Sequence, residues 1–165
     1  MAITTCLWFN GEAEEAAKFY VDVFTGAGRS AKLGAIARFS KAAAQASGQP
    51  ENSAMTATFE LEGQDFLALN GGPHYKITPA ISFVVKCDTQ KDIDYFWQKF
   101  GENGGQEVQC GWINDKFGVS WQVVPTLLSK FMTDPDPSKP GRVMAALMQM
   151  KKLDIAKLQA AYEMK

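Results

Sequence analysis

The stretch "AISFVVKCDTQKDIDYFWQKFGENGG", Ala80 to Gly105, decides the fold. Its first part, Ile81 to Cys87, is rich in β-branched and aromatic residues and reads as a buried strand. Asp88 or Thr89 then caps a helix. Ile93, Phe96, Trp97 and Phe100 recur at helical spacing, and glycines close the element. Downstream, "CGWINDKFGVSWQVVP" (Cys110 to Pro125) reads as strand, turn at Asn114 to Gly118, and strand. From Val119 the residues alternate, with Val119, Trp121 and Val123 on a packing face and Ser120, Gln122 and Val124 on the other. The uncharged Gln122 on that second face is the residue whose role needs explaining.

The same order stands upstream. "ITTCLWF" is a strand, and "GEAEEAAKFYVDVF" is a helix with Ala16, Phe19, Tyr20, Val23 and Phe24 inward and acids in its first turn. "AKLGAIARFS" is a strand, "KAAAQASGQPENS" a mobile loop, and "AMTATFELEGQDFLALNGG" a hairpin turning at Glu62-Gly63. Phe19-Tyr20 overlays on Phe96-Trp97, which lays "TCLWF" on "SFVVK". The hairpins overlay by their terminal prolines, Pro73 and Pro125. The chain is therefore expected to be α+β: two βαβββ modules with a C-terminal helical extension. The domain spans 1–125, with halves of about 1–73 and 78–125, and the extension spans 126–165. In the extension, Met144, Leu147, Met148 and Met150 form an apolar strip for core or subunit contact, and Asp154 caps the last helix.

Bulk properties exclude several classes. At 165 residues the chain buries roughly 70% of its surface and needs no staple. A net charge of −1 argues against nucleic acid or a membrane surface as partner. Cys6, Cys87 and Cys110 are odd in number and lack a CxxC, as expected for reduced thiols in a cytoplasmic protein. There is no basic, apolar leader and no run of about 18 apolar residues. Ser-His-Asp spacing, GxSxG, a phosphate loop and HExxH are all missing. His74, the only histidine, lies on the linker and is a weak candidate for a general base.

The repeat, with "WFNGEAEEAAKFYVDVF", "FLALNGGP", "ENGG" and "CGWINDKFGVSWQVVP", resembles the vicinal oxygen chelate superfamily, which includes glyoxalase I, bleomycin-resistance proteins and extradiol dioxygenases. Within it the chain is similar to the PhnB-like group, whose members often carry a 3-demethylubiquinone-9 3-methyltransferase label. In metal-using members two histidines and two carboxylates meet at a divalent ion. The resemblance puts Thr5 and Ser82 at the histidine positions and Asn70 and Gln122 at the carboxylate positions. None of these is a good ligand for an octahedral ion, so no metal and no cofactor is expected. A cleft lined by Thr5, Asn70, Ser82 and Gln122 then suits a small organic ligand. This mapping turns Thr5, Leu7 and Phe9 to the cleft and Cys6 and Trp8 to the helix.

The expected function is a metal-free small-molecule binding or sequestering protein, a homodimer like many of its group. One alternative is an enzyme of unknown reaction in the same cleft, with His74. The other is a structural dimer whose four cleft side chains bond to one another. The methyltransferase label finds no glycine-rich donor turn between a strand and a helix.

Overall fold

The computed structural model describes residues 3–164. The chain divides into two compact units, one ending at Ile77 and the other beginning at Thr78. In the first unit the elements run β1 (Thr5–Phe9), α1 (Ala13–Gly26), β2 (Ala31–Arg38), α2 (Lys41–Ser47), β3 (Ala54–Leu61) and β4 (Gln64–Asn70). The second has β5 (Ser82–Cys87), α3 (Gln90–Gly101), a short 3-10 turn at Glu102–Gly104, β6 (Gln106–Glu107), β7 (Trp112–Asn114) and β8 (Ser120–Pro125). Three helices follow: α4 (Leu127–Met132), α5 (Ser138–Leu147) and α6 (Ile155–Glu163). The sheets have the orders β1-β4-β3-β2 and β5-β8-β7-β6. In each, only the first pair is parallel, β1 with β4 and β5 with β8, and the other pairs are antiparallel. The fold is thus α+β, two βαβββ-like modules with C-terminal helices.

The segment expected as a mobile loop contains α2. Ser40 caps it by accepting from the Ala43 amide, and Gly48 ends it in the left-handed region at φ 72°. Four alanines between those stops favour helix, and the polar residues around them hid it. The strand expected from Cys110 begins only at Trp112, and a separate short strand, β6, precedes it. Val108 donates its amide to Trp112, and Cys110 adopts φ 61°, so the chain bulges between β6 and β7.

Each sheet buries one face beneath its helix. In the second unit Val85, Cys87, Ile113, Trp121 and Val123 are buried with Ile93, Phe96 and Phe100 of α3. Trp121 stacks on Phe100 with centroids 4.4 Å apart and touches Phe83 at 5.4 Å. Its indole donates to Asp115 Oδ2 at 2.8 Å, while Asp115 Oδ1 accepts from the amides of Phe117 and Val119. One buried carboxylate thereby holds both the hairpin turn and the core tryptophan.

In the first unit the buried set is Leu7 and Phe9 of β1, Phe66, Ala68 and Asn70 of β4, and Ala57, Phe59 and Leu61 of β3, against Ala16, Ala17, Tyr20, Val23 and Phe24 of α1. This reverses the faces expected for β1. Leu7 and Phe9 face inward, whereas Cys6 is exposed and Trp8 half-buried. The cause is the link between strand and helix. It comprises Asn10 to Glu12 after β1 but only Asp88 and Thr89 after β5. Helices aligned on Tyr20 and Trp97 therefore leave the strands one residue out of register, and a slip of one exchanges the faces.

The C-terminal helices build a core of Phe131, Val143, Leu147, Leu153 and Leu158, with Val124, Met150 and Tyr162 packed on it. Backbone bonds from Cys110 to Met150 and from Gly111 to Lys151 join it to the segment leading into β7. Gln90 extends that join from α3, donating to Leu153 O and accepting from the Ile155 amide. The methionine strip splits: Leu147 is core, Met150 packs against it, and Met144 and Met148 are 40% and 61% exposed. Asp154 caps α6 as expected, accepting from the Lys157 amide.

Trp121→Ala is expected to cost about 3–5 kcal/mol, because it empties a stacked core site. Asn70→Ala should cost about 2–4 kcal/mol, because it strands buried backbone groups. Gln122→Ala, half-buried with one hydroxyl partner, should cost about 1 kcal/mol or less. Urea unfolding of the three variants gives the order; a Gln122 variant weaker than the Asn70 variant would contradict the burial described.

Candidate functional site

Of the four positions expected to line a cleft, Thr5 and Asn70 belong to the first unit and Ser82 and Gln122 to the second. In the second unit Ser82 and Gln122 stand on β5 and β8, on the face opposite α3. Gln122 Nε2 donates to Ser82 Oγ at 2.9 Å, and both side chains are half-buried. Trp112 is the register partner of Gln122 on the next strand and shares that face. Nearby, Ser120 donates to Asn114 Oδ1 at 2.7 Å. The neutral amide at 122 thus has a local partner, a hydroxyl one strand away.

In the first unit Asn70 is elsewhere. It is 4% exposed, on the helix side of β4. Its Oδ1 accepts from the amides of Gly11 and Ala13, each at 2.9 Å, and its Nδ2 donates to Ala54 O at 2.9 Å. The side chain seals the longer link into α1 and ties it to the start of β3. Thr5 shares the face of Leu7 and accepts from Gln64 Nε2 at 3.2 Å. Neither residue lies on the open face. By register, the first-unit partners of Ser82 and Gln122 are Thr4 and Leu67. The length of the strand-to-helix link is the sequence signal that would have found them.

The open face of the first sheet carries Cys6 and Trp8 of β1, Leu67 and Leu69 of β4, and Thr56 and Thr58 of β3. Trp8 bends over the chain leaving β4. Its indole donates to Gly72 O at 2.8 Å, and a Cβ on Gly71 would sit 2.1 Å from its ring, so only glycine fits there. Tyr75 packs edge-on against Trp8, centroids 4.9 Å apart. The next residue back, His74, is exposed and makes no hydrogen bond or ion pair among the described residues, so nothing orients it as a base. Burial raises the pKa of Cys6, which favours the thiol over the thiolate nucleophile.

At the end of the same face where β1 begins lies an open hollow of about 390 Å³, lined by Thr4, Lys32, Gly34, Thr58, Glu60 and Asp65. Gly34 sits in a bulge of β2, and a Cβ there would meet Thr58 Oγ1 at 2.3 Å. Thr58 Oγ1 donates to Ala35 O across that bulge. The glycine therefore keeps the floor of the hollow open. Sequence reading missed this site because its polar residues alternate with core residues along three strands and carry no motif.

The residues do not fit a divalent ion at the four mapped positions. They supply two hydroxyls and two amides, and both acceptor directions of the Asn70 oxygen are taken by backbone amides. Among the described residues no group of three or more His, Cys, Asp or Glu could hold a metal ion, and no helix is long and apolar enough to cross a membrane.

Residues 1–124 match the family model described as 3-demethylubiquinone-9 3-methyltransferase. The PhnB protein of Bacillus cereus, which carries the same family name, is 32% identical; the match covers 76% of this chain and all of that one, with a TM-score of 0.65. Protein PA1353 of Pseudomonas aeruginosa is 22% identical over 76% of this chain and 97% of its own, with a TM-score of 0.58, and shares the fold. A glyoxalase/bleomycin resistance protein of Albidiferax ferrireducens is 14% identical over 72% of this chain and 93% of its own, at a TM-score of 0.44. No curated protein matches the sequence. With a family model matching most of its length and a neighbour of the same family at 32% identity, this chain belongs to the PhnB-like 3-demethylubiquinone-9 3-methyltransferase domain family.

Proposed function

We propose that this protein binds a small organic molecule, without a transition metal, in the hollow on the open face of the first sheet. The observation that carries this reading is the hollow itself. Its volume of about 390 Å³ falls in the range of small-ligand sites, and charged and hydroxyl side chains converge on it. Ser82 and Gln122 in the second unit are a poorer start for a site, because they are hydrogen-bonded to each other. That pairing favours the reading in which this part of the expected cleft is filled by its own side chains.

The name of the Bacillus neighbour refers to methyl transfer, but the local structure offers that chemistry little support. The strand-to-helix links are Asn10-Gly11-Glu12 and Asp88-Thr89, not the glycine-rich turn that cradles a donor nucleoside. The sheets are mixed, with one parallel pair each.

We also infer a homodimer. Met144, Met148 and Leu127 leave 38% to 61% of their surface exposed on the C-terminal helices, and both four-stranded sheets end in edge strands.

A thermal-shift screen of small polar fragments, followed by amide chemical-shift mapping, tests the binding reading. A fragment at 100 times its dissociation constant is expected to stabilise by roughly 2.7 kcal/mol and to perturb Lys32, Thr58 and Glu60. Shifts confined to other surfaces, or no stabilising fragment, would count against it. Elemental analysis of untagged protein is expected to find no stoichiometric zinc, nickel, manganese or iron; a metal retained through gel filtration would overturn the metal-free reading. Light scattering at micromolar concentration is expected to give twice the chain mass of 18.1 kDa, and a monomer mass would refute the dimer.

A further inference from the structure

After β4 the first unit ends in the segment Gly71-Gly72-Pro73-His74-Tyr75-Lys76-Ile77. The Gly71 amide donates to Phe9 O, and Gly72 O accepts the Trp8 indole proton. There the anchoring stops. Among the described residues Pro73 to Ile77 make no hydrogen bond through backbone or side chain. A segment whose backbone groups are all left to water opens at little free-energy cost.

One contact holds this strap to the sheet. The Tyr75 and Trp8 rings lie with centroids 4.9 Å apart and planes at 82°, the perpendicular arrangement in which aromatic rings attract. Tyr75 is nonetheless 69% exposed, so burial does little to keep it there. Trp8, by contrast, is fixed. Its ring lies against Gly71, where it leaves no room for a Cβ, and its indole is tied to Gly72 O. It stands in register with Leu69, and Leu69 with Thr56, on the open face. An anchored ring is thus met by a ring on an unbonded strap.

We propose that Trp8 is a subsite for an aromatic ring and that Tyr75 is its built-in occupant, displaced when a ligand binds. The molecule itself supplies the evidence for the ligand class: a phenol is already seated on Trp8, on a tether with no other fastening. The subsite goes beyond the hollow. Trp8 stands four residues along β1 from Thr4, which lines the hollow, or about 13 Å at about 3.3 Å per residue. It needs no ligand there. A perpendicular ring pair is worth about two- to tenfold in an equilibrium constant. Tyr75 therefore weakens a competing ring by a similar factor without barring it. Displacement frees the strap, so occupancy of Trp8 is read out as motion of His74 to Ile77.

The experiment titrates ¹⁵N-labelled protein with p-cresol, the tyrosine side chain as a free molecule, and with 4-methylcyclohexanol, its saturated counterpart. p-Cresol is expected to give saturable shifts at the Trp8 indole and at Gly72, and to lower the heteronuclear NOE of His74 to Ile77. The saturated alcohol should bind there several-fold more weakly. Tyr75→Ala should leave the melting temperature unchanged and tighten p-cresol by about two- to tenfold. Tyr75→Phe keeps a ring on Trp8 and should bind like the parent. A Tyr75→Ala variant that binds p-cresol no better than the parent would overturn the proposal. So would Tyr75→Phe matching Tyr75→Ala, or the saturated alcohol binding as well as p-cresol. If p-cresol shifts Lys32, Gly34 and Glu60 but leaves the Trp8 indole unmoved in parent and variant alike, the Trp8 subsite falls and the hollow stands.

Discussion

A buried amide governs the first module. Asn70 takes two backbone amides of the link between β1 and α1 and gives a proton to the carbonyl that opens β3. That link is one residue longer than its counterpart after β5, and its extra donors need a partner inside the fold. The second module solves the same junction differently. Thr89 and Asp92 form a capping box at the start of α3, with no help from the neighbouring strand. One side chain at the end of β4 therefore permits the longer link, and the longer link sets which residues of β1 face outward.

The second module has its own buried polar centre. Asp115 is 3% exposed, and its two oxygens hold the β7–β8 turn and the Trp121 indole. The aromatic stack of Trp121 on Phe100 then fixes the packing face of β8, and Gln122 is left on the other side. The two modules are similar in strand order but not in how each secures its helix to its sheet. A pseudo-symmetric metal site needs the same strand positions to face the same way in both halves. Here the residues mapped by simple overlay fall on opposite faces, with Asn70 toward a helix and Gln122 away from one.

The charged side chains on the open face of the first sheet have no comparable set of partners among the described residues. The amide of Asn70 and the carboxylate of Asp115 each have several partners. The charges of Lys32, Glu60 and Asp65 line a hollow, and Gly34 keeps its floor clear. The contrast between satisfied buried groups and unsatisfied hollow-lining groups separates the residues that maintain the fold from those available to a ligand.

The sequence by itself determined the βαβββ repeat, a helix cap at Asp88 or Thr89 and another at Asp154, the turns at Glu62-Gly63 and Asn114 to Gly118, and the two faces of β8; the structure chose Thr89. Those features rest on local spacing and on propensity, which act over a few residues. It also determined that the mapped positions lack metal-binding side chains, since that is a matter of residue type. Tertiary structure alone decided the faces of β1 and β4, because a strand of alternating Thr, Cys, Leu, Trp and Phe is apolar enough to bury either side. Only the register between Leu7 and Ala68, and between Phe9 and Asn70, selects one. The hollow was likewise beyond sequence reading. Thr4, Lys32, Glu60 and Asp65 come from four strand regions and become neighbours only when hydrogen-bonded registers align them in a single row.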